Sequence, residues 1–152
     1  LGVFYPLQTF TKGHEIDLFE VPFFIEATND YFATRLFDLA WKISKSVAYA
    51  SSKQRKELHH TAVWVNNFTN HIMYLAQDYA ANHNIKFDHL KPLLKETMNK
   101  LNFQSPRDAQ TGPARRGDEK IIEQHIDKLE GLPKEIYALI SKSIQQTYSN
   151  ND

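Results

Sequence analysis

The sequence predicts a mainly helical protein with a small strand-bearing part at its start. Three observations carry this. Short β-prone apolar runs dominate up to about residue 50. From residue 52 to about residue 83 there is neither Gly nor Pro, and apolar or aromatic residues run through the middle. The remaining segments carry the start and stop residues of further helices.

The run Val3-Phe4-Tyr5-Pro6-Leu7-Gln8-Thr9-Phe10 is short and apolar, but Pro6 cannot donate to a ladder, so a regular central strand is not expected there. Lys12-Gly13-His14-Glu15 reads as a loop. Residues 21–27 read as a buried strand. Asn29 or Asp30 then caps a helix whose apolar positions Phe32, Leu36, Phe37, Leu39, Ala40 and Ile43 keep a helical period. Ser46-Val47-Ala48-Tyr49-Ala50 is a second short strand. Strand, helix, strand is the pattern of the closing edge of an α/β sheet.

A helix over 52–83 would be on the order of 45 Å long, more than one small domain usually needs, so it is expected to cross a partner subunit or domain. Further helices are predicted at 88–101, with Pro92 in the first turn, at 118–130, and from Pro133 to near Tyr148. Residues 102–117 read as a loop. The tail Ser149-Asn150-Asn151-Asp152 is polar and expected to fray.

Composition narrows the function. Acidic and basic residues balance at 18 each, so no global charge points to nucleic acid or an acidic membrane. The absence of cysteine excludes disulfides and thiolate chemistry. No apolar run approaches the roughly 20 residues of a membrane span. The first residue is Leu1 and no signal-peptide pattern follows, so an N-terminal part of a longer product is expected to be missing.

There is no G-x-G-x-x-G, no phosphate-loop motif and no H-E-x-x-H. His59 and His60 are adjacent on a helix and make a poor metal pair, and His71, His83, His89 and His125 have no evident ligand partners, so no metal site is expected. Arg55, His59, Asn66, Asn67 and Asn70 lie near one stripe of the long helix. A histidine or an amide there could orient a carbonyl, and Arg could pair with a carboxylate; equally, the stripe could be a solvated face or tie one helix to the next. Trp41, Trp64, Phe68 and Tyr74 sit where packing is favoured, as core or interface. Thr111-Gly112-Pro113-Ala114-Arg115-Arg116-Gly117-Asp118 reads as a rigid cationic loop presenting two arginines at the start of a helix capped by Asp118. A plain capped connection is the alternative.

Taken in order, Pro6-Leu7-Gln8-Thr9-Phe10, Arg55-x-x-Leu58-His59, Ala62-Val63-Trp64-Val65-Asn66-Asn67-Phe68 and Thr111-Gly112-Pro113-x-Arg115-Arg116-Gly117-Asp118 carry a resemblance over nearly the whole chain. The chain resembles the C-terminal part of NAD(P)-dependent oxidoreductases of the 6-phosphogluconate dehydrogenase-like superfamily, akin to pyrroline-5-carboxylate reductase. The resemblance implies that residues 1–50 are the last strands of a Rossmann-like α/β domain. Residues 51–152 would be an all-helical C-terminal domain that forms a homodimer interface and the substrate-side wall of the active site. It implies a small carbonyl or imine substrate, a cytoplasmic location, and NADP or NAD bound mainly by an N-terminal dinucleotide-binding domain absent from this chain, which alone would be inactive. It assigns His59 as proton donor or carbonyl-orienting group, Asn67 as substrate-positioning, and Arg116 and Arg55 as substrate-binding, with His14 a lesser candidate. The competing expectation is a non-catalytic helical dimerisation or interaction module.

Overall fold

The computed structural model describes residues 1–149; of the tail expected to fray, Ser149 is described and its hydroxyl donates to the Gln145 carbonyl at 2.7 Å, while Asn150, Asn151 and Asp152 lie outside the described residues. The chain divides into two compact units, residues 1–72 and a second from Met73 onward.

The first unit is built on a three-stranded sheet in the order β1-β2-β3. β1 (Gly2–Pro6) runs antiparallel to β2 (Phe23–Ala27), with Phe4 opposite Ile25. β3 (Val47–Tyr49) runs parallel to β2, with Phe23 opposite Val47. Pro6 closes an edge strand, where its missing N–H costs no ladder bond. The central strand starts at Phe23 because Pro22 cannot donate and the Val21 N–H is spent on the Leu18 carbonyl of a 3-10 turn.

Helix α1 (Asp30–Trp41) links β2 to β3. Asn29 is its cap, accepting from the Phe32 N–H at 3.0 Å. Val21, Phe23, Ile25 and Ala40 form the buried core, covered by Phe4, Leu36, Phe37, Ile43 and Val47. The fully buried Ser44 hydroxyl donates to the Val21 carbonyl at 2.6 Å and accepts from the Ser46 N–H at 3.0 Å. A polar group is thereby tolerated inside the core, and the turn into β3 is fixed.

The long helical run begins at Ser52 as expected and ends at Asn82, but it is three segments. They are α2 (Ser52–Ala62), a π-helical segment (Val63–Phe68) and α3 (Thr69–Asn82). Ser51 and Gln54 form a reciprocal capping box at its start. The π-segment closes i→i+5 bonds, a wider turn than the α-helix. Residues after it are displaced by about 100° from where an unbroken α-helix would put them. The polar stripe expected through Asn70 is therefore broken at Phe68.

The second unit is helical. A 3-10 turn (Phe87–Leu90) leads into α4 (Lys91–Lys100), with Pro92 in the first turn. The expected loop over 102–117 holds two one-turn helices, α5 (Pro106–Ala109) and α6 (Pro113–Arg116). Ser105 caps the first. Both begin with Pro at N1, where its fixed φ suits a helix start. α7 (Glu119–Ile126) is capped by Asp118, as expected, and stops four residues early. α8 (Gly131–Tyr148) packs with α6 and α7, burying Ala114, Ile122 and Ser141.

A basic and aromatic groove on the long helix

The first unit holds an open groove of about 740 Å³. One i+4 ridge of the helix, Ser52, Lys56, His60, Trp64 and Phe68, lines it together with a second ridge, Arg55, His59 and Val63. Tyr5 of β1 completes the wall. In an α-helix each step of four residues overshoots a full turn by about 40°, so a ridge of fours spirals away from its starting face. The wider π-turn advances less per residue and reverses that drift. Trp64 and Phe68 thus come back toward the face of Lys56 and His60. Their rings meet edge to face at 5.0 Å.

Arg55 is held rather than free. Its Nη1 donates to the Ala50 carbonyl at 2.6 Å and pairs with Glu26 Oε2 at 2.7 Å, and its side chain is only 15% exposed. Glu26 also accepts from the Ser52 N–H at 3.3 Å, so one carboxylate of β2 anchors the first turn of α2 twice. This fixes the helix start against the sheet and sets the azimuth of His59 one turn further on. The His59 side chain is exposed in the groove and makes no hydrogen bond among the described residues. His60 Nε2 accepts from the Trp64 indole N–H at 3.4 Å, an arrangement that leaves the proton of a neutral ring on Nδ1. Lys56 has no ion pair among the described residues.

Arg55 and His59 are therefore brought together, while Asn66 and Asn67 lie on the π-segment outside the groove's lining. His14 sits on an exposed turn. The two arginines of the Gly/Pro-framed stretch are not at the start of α7. They close the single turn of α6, which Gly117 ends in the left-handed conformation at φ 70°. Only a residue without Cβ takes that angle without strain, so the chain can turn at once into the Asp118 cap. Arg115 lies over the Tyr148 ring at 4.2 Å. Arg116 is exposed, and its side chain has no ion pair among the described residues.

Lys56, His60, Trp64, Phe68 and Tyr5 were not among the expected site residues. The signal for four of them was present: with Ser52, they recur every fourth position from 52 to 68. A stripe drawn with steps of seven passes beside them. No group of three or more His, Asp or Glu side chains that could hold a metal ion occurs among the described residues. Their helices include none long and apolar enough to cross a membrane.

A small mixed sheet followed along the chain by helices, with a basic and aromatic groove within the first unit, defines the class of this protein. The chain belongs to the family described as a domain of unknown function, DUF2520, which matches residues 21–144. A solved structure from Bacteroides fragilis, of a protein named as a candidate NADP oxidoreductase, is 45% identical and matches with a TM-score of 0.90, over 95% of this chain and 57% of that one. A Thermotoga maritima protein, 20% identical, has the same fold, with a TM-score of 0.78 over 97% of this chain and 61% of that one. The chain thus spans less than two thirds of the length of either. No curated protein matches it.

Proposed function

We propose that this chain is the C-terminal part of an NAD(P)-dependent oxidoreductase acting on a small carbonyl or imine, and that the groove is the substrate-side wall of its active site. The identity to the Bacteroides fragilis protein over nearly the whole chain carries this reading. Membership of the 6-phosphogluconate dehydrogenase-like superfamily, with a relationship to pyrroline-5-carboxylate reductase, belongs to the same proposal. So does the division into residues 1–50, as the end of a Rossmann-like domain, and 51–152, as a helical domain.

The described strands do not fit a dinucleotide by themselves. No strand leads through a glycine-rich turn into a helix: β2 passes into α1 through Thr28 and Asn29, with Asn29 as the cap. NADP or NAD is therefore assigned to a preceding dinucleotide-binding domain. This chain's residues do the rest. His59 holds a proton toward the substrate carbonyl oxygen or imine nitrogen from the open side of the groove. Arg55 has Nη1 committed to Glu26 and Ala50, and its remaining donors are left for substrate. Asn67 positions substrate from the π-segment. Arg116, without an ion pair in its own unit, takes a carboxylate or phosphate.

The test is NADPH oxidation by the complete protein across a panel of ketones and imines, with His59→Gln and Asn67→Ala beside it. We expect turnover of at least one compound and a loss on the order of a hundredfold or more in His59→Gln. A protein that neither binds NADPH by calorimetry nor oxidises it with any of them refutes the reading. The second reading, a non-catalytic dimerisation module, is favoured by one observation: Trp64, Val65, Ile72 and Tyr74 are all exposed along a single helical run. The two readings share a homodimer built on that helix. They part on NADPH.

A further inference from the structure

We propose that the groove takes a carboxylate carried on an aromatic or bulky apolar body, with Lys56 pairing to the carboxylate and Trp64 and Phe68 holding the body. This rests on the reading of the groove as a substrate wall. Charge comes first. The ionisable groups that line it are Arg55, Lys56, His59, His60 and the Tyr5 phenol, and no Asp or Glu is among them. The nearby carboxylate of Glu26 is already used, by Arg55 and by the Ser52 N–H. One cation of the site is thus neutralised within the protein, and Lys56 is left for a ligand. Its ammonium on a flexible stem is a point charge that can meet a carboxylate from several directions.

The rest of the lining sets the body. Apart from the Ser52 hydroxyl it is aromatic or aliphatic, with Val63 ending the second ridge. Trp64 and Phe68 are already edge to face, and a third ring against them continues the same favourable geometry. A volume of about 740 Å³ suits a small molecule. Neither half suffices alone: a bare short acid leaves the rings wet, and a neutral aryl compound leaves the Lys56 charge without its partner.

Calorimetry on the complete protein, without nucleotide, separates these terms. The probes are 3-phenylpropanoate, its uncharged amide, and propanoate. We expect the aryl acid to bind at least tenfold more tightly than either of the others. Lys56→Gln should bring the acid down to the level of the amide, and Lys53→Gln, on the same helix outside the groove, should leave it unchanged. Lys56 is exposed, so the substitution spares the fold; a thermal melt checks this. Equal binding of acid and amide, no effect of Lys56→Gln, or no binding at all (as when a second copy of the chain fills the groove) overturns the proposal. Parallel NADPH measurements distinguish its failure from that of the oxidoreductase reading. Turnover of an uncharged carbonyl without binding of the acid removes only the substrate class. Binding of the acid by a protein that never binds NADPH removes only the oxidoreductase.

Discussion

The sheet with α1 and the helical run that follows it solve the burial problem in opposite ways. In the first, Val21 and Ile25 are fully buried, Ala40 closes over them, and the one buried hydroxyl has its partners. In the second, 31 residues from Ser52 to Asn82 bury only Ala80, while Trp64 and Val65 remain 62% and 68% exposed. A helix gains no stability of its own from such residues while they stay exposed. The sheet region holds itself together, while the helix leaves its large apolar side chains exposed.

The sharpest way to break this contrast is at Ile25. Ile25→Ala removes a side chain with no exposed surface, and should cost roughly 2–5 kcal/mol in a denaturant titration. A smaller loss would mean that the sheet core is loose. Next comes Val65→Glu, which should dissociate the proposed dimer by light scattering while changing the unfolding free energy of each protomer by no more than about 0.5 kcal/mol. A dimer that survives it places the interface elsewhere.

In the second unit the two arginines offer a finer version of the same contrast. Arg115→Ala removes a cation stacked on Tyr148 and should cost about 0.5–1 kcal/mol of stability. Arg116→Ala should leave the melting temperature alone and weaken binding of anionic ligands. The reverse outcome would make Arg115 the functional member of the pair. The smallest effect is at Asp88, whose carboxyl is held below the ordinary aspartate value by its hydrogen bond to Lys91 and then by the Lys91 charge. A depressed carboxyl contributes stability above its unfolded value and loses it as the pH falls through the folded one. Asp88→Asn should therefore matter, slightly, at neutral pH and not at all in acid. The pair is exposed, so salt should erase even that.

Much of the architecture was legible because it follows from local chemistry. Asn29 before an apolar period and Asp118 before Glu119 each mark a helix start through a bond that the side chain then makes, whereas the Ser51–Gln54 capping box was not named in advance. The one-turn helices were legible in principle, since Ser105-Pro106 and Gly112-Pro113 are start signals, but a four-residue turn leaves no period to detect. The π-segment could not be read. Val-Trp-Val-Asn-Asn-Phe looks the same whether its bonds close over four residues or five. For the groove, this meant that Arg55 and His59 of its lining were named as candidates in advance, while Lys56, Trp64 and Phe68 were not. Their alignment depends on a turn that composition does not encode.

The groove therefore depends on a count as much as on identities. If Val63–Phe68 closed as an uninterrupted α-helix, every side chain would still be present. Yet Phe68 and all that follows would be turned by about 100° against Lys56 and His60. Removing one residue, such as Asn66, would offset that turn, so a deletion variant should form the α-helix and keep Phe68 facing as it does now. In this segment the number of residues and the width of the turn must agree for the two faces to meet.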